Sequence, residues 1–201
     1  MAEDTPMEKL RFIVGLGPSW VTFASLCRVL DEWPDGPELE AAVAEIDEAL
    51  ASWPVAFRAA PAAWKDAFLT GGDDPRFRLV RRVDVSHAEF GDILAAQLAG
   101  APWMSSIKWL GLPKNDIGDA GVVALVASPY LTGLEALDLS DNDIGDVGAV
   151  AIARSTTFGH LKWLHLQGND IGEEGVRALQ GLAAVAQGGV LELQGNPGLA
   201  R

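Results

Sequence analysis

Apolar residues recur along the second half of the chain in a fixed frame. Ile107, Leu110 and Leu112 are followed by Leu134, Leu137 and Leu139, then by Leu161, Leu164 and Leu166, each set 27 residues after the last. Val80, Val83 and Val85 hold the same frame one unit earlier, and Leu191 and Leu193 continue it beyond. The last two apolar residues of each set are two positions apart, which places both on one face of a short strand. A second pattern follows, Ile117, Gly118, Gly121 and Leu125 in the first full unit, spaced for a helix. Each unit therefore predicts one strand and one helix.

The first half carries helical spacing without a repeat. Met7 to Val14 predicts a short helix stopped at Gly15. Ser19 is placed to cap a second helix, with Trp20, Phe23, Cys27 and Leu30 on one face. After a Pro-rich loop, Pro37 opens a third helix with Glu38 and Glu40 near its start and Leu39, Val43, Ile46 and Leu50 as its buried stripe. Pro61 opens a last one, with Trp64 and Phe68 a turn apart, and Gly71-Gly72 ends it. The expected boundary falls there: residues 1–75 as an α-helical capping domain, 76–201 as an array of about four and a half units.

The tetrapeptide Asn-Asp-Ile-Gly begins at Asn115, Asn142 and Asn169, and the same step reaches Asn196. The asparagine stands where the chain leaves the strand, and its amide can satisfy backbone groups beyond the ladder. Gly118, Gly145 and Gly172 suit a turn with unusual backbone angles. Asp119, Asp146 and Glu173 fall at helix starts, where negative charge is favoured. The earliest unit lacks the asparagine, having Ala88 instead, but supplies Phe90-Gly91, Leu94 and Leu98 in register. The frame L-x-x-L-x-L-x-x-N with this second half resembles the leucine-rich repeat family, most closely its ribonuclease-inhibitor-like subtype. The resemblance implies an α/β solenoid, parallel strands on the concave face and helices on the convex face, and a non-enzymatic protein-recognition role. Some proteins of that subtype inhibit ribonucleases or activate small GTPases, so a regulator of a partner enzyme is an alternative by fold analogy.

Charge narrows the partners. The chain of 201 residues has 15 basic and 28 acidic side chains, a net charge of −13, with no basic stripe in either half. Nucleic acid and anionic membrane surfaces are therefore not expected. A lone cysteine, Cys27, forms no internal disulfide and suits a reducing, cytoplasmic setting. Phe12 to Cys27 is apolar after Lys9 and Arg11, yet Glu3, Asp4 and Glu8 precede it and Gly15-Leu16-Gly17-Pro18 interrupts it, so export is not expected.

The repeat also predicts lateral neighbours, because same-column residues on parallel strands sit about 4.8 Å apart. One outward column reads Asp84, Gly111, Asp138, His165, Glu192. It sets His165 between carboxylates, but the nearest hydroxyl, Ser140, lies one column away, and no nucleophile elbow is present. His87 and His160 have no recognisable pairing. Asp116, Asp143 and Asp170 form a column whose spacing matches no calcium loop, so neither a metal nor another cofactor is expected. A second outward column reads Arg82, Trp109, Ala136, Trp163, Val190, flanked by Arg81, Lys108, Glu135 and Lys162. Two tryptophans two strands apart over a small alanine predict a slot, and exposed tryptophan beside cationic side chains suits a binding hot spot. The expected partner-binding residues are Trp109, Trp163, Lys108, Lys162, Asp138, His165 and Arg82; Trp103 is expected in the core. Only five residues follow Asn196. The last strand is therefore expected to lack a helical cap, and association of copies through that edge is the structural alternative.

Overall fold

In a computed structural model, residues 5–70, 72–87, 91–159, 161–182 and 188–199 are described. Five short strands, β1 (Arg82–Asp84), β2 (Trp109–Gly111), β3 (Ala136–Asp138), β4 (Trp163–His165) and β5 (Val190–Glu192), form one parallel sheet in chain order. Their register is the 27-residue step itself: Val83 lies beside Leu110, Leu110 beside Leu137, Leu137 beside Leu164, and Leu164 beside Leu191. Helices α5 (Gly91–Ala99), α6 (Asp119–Val126), α7 (Asp146–Arg154) and α8 (Glu173–Gln180) return behind the strands and pack in sequence. This is an α/β leucine-rich repeat solenoid. The frame residues are buried between the two layers, except Leu191 on the edge strand β5, which is partly buried, and the one-in, one-out alternation of each strand leaves its other face free. Ala88 and Phe90 of the earliest unit lie outside the described residues.

Asparagines hold the turns. Asn142 Nδ2 donates to the carbonyls of Leu112 (2.9 Å) and Leu139 (3.0 Å), while its Oδ1 accepts from the N–H groups of Asn115 and Ile117 (both 3.0 Å). Asn169 and Asn196 repeat the pattern, donating to carbonyls on their own and the preceding unit and accepting from Ile144 and Ile171. All four repeat asparagines, Asn115 included, are buried, so each links two units through backbone groups that water does not reach.

The glycines of the Ile-Gly pair have a different reason from the expected one. Gly118, Gly145 and Gly172 are ordinary extended residues, with φ of −98°, −99° and −84°. A carboxylate from the preceding unit approaches each of them, and at Gly172 it leaves no room for a Cβ, which would lie 2.7 Å from Asp146 Oδ2. Asp119 Oδ1 accepts from Gly145 N–H (2.9 Å) and Gly148 N–H (2.7 Å). Asp92 does the same to Gly118 and Gly121, and Asp146 to Gly172 and Gly175. Each helix start is thus capped by the helix before it, a favourable place for negative charge. Gly91, at the same position in the earliest unit, is left-handed (φ 53°), and the recurring left-handed position is one residue before the asparagine column, at His87, Lys114, Asp141, Gly168 and Gly195 (φ 53° to 79°).

The first half contributes α1 (Pro6–Gly15), α2 (Trp20–Asp31), α3 (Pro37–Ala49) and the short α4 (Lys65–Leu69), which follows a 3-10 turn at Ala62–Trp64. Thr5 and Glu8 form a capping box on α1, so helical order begins earlier than Met7. Ser19 caps α2 by accepting from Thr22 N–H (3.0 Å). Leu39, Val43, Ile46 and Leu50 are buried as expected, and so are Phe23, Cys27 and Leu30. Trp20 is not: as the first residue of α2 it turns outward and is 68% exposed. Trp103 is in the core, against Phe68 and Phe77 (ring centroids 4.6 and 5.5 Å).

Buried cations join this part to the sheet. The Arg58 carbonyl accepts from Arg81 N–H (2.9 Å) and Arg82 N–H (3.1 Å), and Ala60 N–H donates to the Arg82 carbonyl (2.8 Å). Residues 58–60 therefore cover the outer side of β1 in a single parallel bridge. The Arg58 guanidinium, 2% exposed, donates to the carbonyls of Leu79 and Leu50 and to Asp47, which also accepts from Arg81. Burial lowers the Arg58 pKa from its ordinary value, with Asp47 opposing the shift. At the far end Pro197–Leu199 forms a 3-10 turn that packs against α8. Among the described residues no strand pairs with the outer side of β5.

Candidate functional site

The strand alternation that buries the leucines sends Trp109, Ala136 and Trp163 outward in one row, and the sheet register makes them neighbours on β2, β3 and β4. Ala136 is the floor and the two indoles are the walls of an open slot of about 180 Å³. Val55, Lys108, Glu135 and Lys162 complete its lining. Trp163 is 53% exposed, a large desolvation reserve for a ligand.

Trp109 is held in place on two sides. The Arg82 guanidinium stacks on its ring, 3.6 Å from the centroid, a cation–π contact that closes the β1 side. Its six-membered ring lies over Gly111, where a Cβ would overlap it. Gly111 is therefore part of the site: its missing side chain lets the indole lie along the sheet. Trp163 stacks on His165 of its own strand, with ring centroids 6.1 Å apart and planes 12° from parallel.

The flanking row is less basic than its composition suggests. Arg81 is paired with Asp47 (2.8 Å), and Lys162 with Glu135 across adjacent strands (2.7 Å). Lys108 Nζ donates to the Gly133 carbonyl (2.9 Å). On the other side of the tryptophan row lies the acidic column, Asp84, Asp138 and Glu192 on alternate strands, with His165 between the last two. Asp138 Oδ1 accepts from both the N–H (3.0 Å) and the hydroxyl (2.7 Å) of Ser140, and Glu192 accepts from Gln167 Nε2 (2.9 Å). Ser140 is thus bound to Asp138 rather than to His165. Among the described residues no group of three His, Cys, Asp or Glu is placed to hold a metal, and no helix is long and apolar enough to cross a membrane. His87 is exposed, and His160 lies outside the described residues.

The structure brings Trp109, Trp163, Lys108 and Lys162 to one slot, with Arg82 behind it and Asp138 and His165 one row away. Sequence reasoning missed Val55, which comes from the helical half, outside the repeat, where no spacing relates it to the strands. It also missed Gly111 as a site residue, although a glycine in an outward position beside a tryptophan was the available signal.

One strand and one helix per unit, stacked in parallel with a free strand face, define a repeat solenoid built to present a surface. A family model described as Leucine Rich repeat matches residues 111–126, 131–153 and 160–179, and the stretch from 111 to 179 consists of leucine-rich repeats. Such repeats generally mediate protein–protein interaction. No curated protein matched the chain.

Proposed function

We propose that the chain is a non-enzymatic recognition module of the ribonuclease-inhibitor-like subtype, that its concave strand face binds a protein or peptide, and that residues 1–75 serve as the leading cap of the array. The observation that carries the reading is the slot between Trp109 and Trp163: two large apolar side chains, one of them half exposed, over a floor no bulkier than Ala136. Anchors of this kind carry most of the binding energy at protein interfaces. Trp109→Ala combined with Trp163→Ala should abolish capture of the partner in affinity purification from the native host, with the thermal midpoint within about 8 °C of the parent's. Undiminished capture by the folded double variant removes this face from consideration.

A second reading has one observation in its favour. The outer side of β5 is open among the described residues, and Val190 beside it is 43% exposed. An open parallel edge is a template for another chain, so association of copies there is the structural alternative. Regulation of a partner enzyme is a narrower form of the first reading and uses the same face.

A further inference from the structure

We propose that the slot's occupant is a proline-rich segment in the polyproline II conformation, lying across the strands with prolines three residues apart on Trp109 and Trp163 and basic residues toward Asp138 and Glu192. The proposal rests on the reading of the strand face as a partner-binding surface and names the chemistry of the partner.

Spacing is the first argument. The backbone positions that carry the two indoles are in register two strands apart, which is about 9.6 Å. One turn of a polyproline II helix takes three residues and about 9.3 Å, and brings residues i and i+3 to the same side. An extended β-strand covers about 10 Å in three residues but turns residue i+3 to the opposite face. An α-helix next returns to the same side near that distance at i+7, about 10.5 Å away. Polyproline II fits with the smallest mismatch, and its two intervening residues arch over Ala136.

Backbone chemistry is the second. The carbonyls and N–H groups of β2 and β3 lie in a sheet paired on both sides, so this face offers a ligand side chains and no ladder. A strand docked flat on it would bury polar backbone without partners. Polyproline II needs no backbone pairing, and prolines stack on aromatic grooves at low entropic cost.

Charge sets the orientation. Carboxylates sit on alternate strands, Asp84 on β1, Asp138 on β3 and Glu192 on β5, so they share the two-strand period of the tryptophans. A polyproline helix with basic residues on one of its three faces matches that row, and a net charge of −13 favours a cationic partner. Inside the slot that preference lapses. Lys108, bonded to the Gly133 carbonyl, and the Glu135–Lys162 pair line it, so the space between the indoles suits an uncharged ring.

Calorimetric titration of the full chain with synthetic peptides tests this. The probe is a short peptide with proline at every third position and arginine interleaved. Controls place proline at every fourth position, replace proline by alanine, or form an amphipathic helix with apolar residues at i and i+7. The every-third peptide should bind saturably and at least about tenfold more tightly than each control. Trp163→Ala should weaken it about tenfold, and Ala136→Phe, which fills the slot without removing any packed atom, should do the same. Asp138→Asn with Glu192→Gln should weaken binding and flatten its salt dependence. No saturable binding of the every-third peptide, equal binding of the every-fourth peptide, or preference for the helix overturns the proposal. If the peptides fail while the Trp109→Ala, Trp163→Ala variant still loses its cellular partner, the proline assignment falls and the strand-face reading stands. If both fail, both fall.

Discussion

A methyl group on Gly148 would sit 2.7 Å from Asp119 Oδ1 and 2.9 Å from Ile144 Cγ2. Alanine in place of a mid-helix glycine ordinarily stabilises by about 1 kcal/mol. Here the same change pushes apart the carboxylate that caps α7 and overpacks a buried position. Gly148→Ala should therefore destabilise by about 1–3 kcal/mol in urea denaturation; a gain would mean that the interhelix cap contributes nothing. Cys27 gives a second test at this scale. Burial pushes its thiol pKa far above the ordinary value, with Asp31 acting in the same direction. The thiolate fraction is smaller than that of a free thiol throughout the neutral and mildly alkaline range. Native protein at pH 8 should resist alkylation by iodoacetamide and react only once unfolded. Much at this scale was legible: the repeat asparagines follow from position, since a side-chain amide offers two donors and an accepting oxygen where a strand ends. For Gly118, Gly145 and Gly172 the expected unusual backbone is absent; what they share is an N–H donated to an aspartate 26 residues earlier, a contact the one-unit pattern does not display.

At the scale of elements, strands and helices of the array followed from periodicity, whereas the joint between the helical half and β1 did not. Arg58 and Arg76 are buried cations, 2% and 9% exposed, and nothing in a hydropathy pattern marks a buried arginine. Their partners are carbonyls and carboxylates scattered through the first half: Arg76 donates to the carbonyls of Leu30 (3.1 Å) and Trp33 (2.9 Å) and pairs with Asp74 and Asp35. Trp20 was misplaced for a related reason, since a residue at the mouth of a helix can satisfy the periodicity and still face water. Arg58→Met keeps much of the packing volume but strands the carbonyls of Leu50 and Leu79 and half of Asp47's pairing. It should cost about 3 kcal/mol and speed amide exchange at Arg81 and Arg82, whose N–H groups donate to the Arg58 carbonyl. Unchanged exchange there would show that the bridge to β1 holds without the guanidinium.

Across the whole molecule the buried apolar residues form one cluster from Leu10 to Leu193, with no break at the end of the helical half. A helical half that shares its core with the array should unfold with it. Far-UV circular dichroism and tryptophan emission should report coincident transitions, since Trp64 of the helical half and Trp103 of the array both pack on Phe77. A separate early transition would give the helical half an independent stability. The same experiment, run over a range of protein concentrations, addresses the open side of β5: copies joined there shift the midpoint upward with concentration, and a monomer does not.

The carboxylate caps have a further consequence. Asp92 holds Gly118 and Gly121 in the same geometry by which Asp119 holds Gly145 and Gly148 and Asp146 holds Gly172 and Gly175, so the three junctions between successive helices α5 to α8 have the same plug and the same socket. Excising residues 119–145 would let Asp92 meet residues equivalent to those it already holds, and the shortened fold would close without a scar. Yet it would bring the two indoles onto neighbouring strands, about 4.8 Å apart, with nothing between them. Gene duplication could thus lengthen or shorten such a chain at little structural risk, while each change of one unit redraws what it recognises.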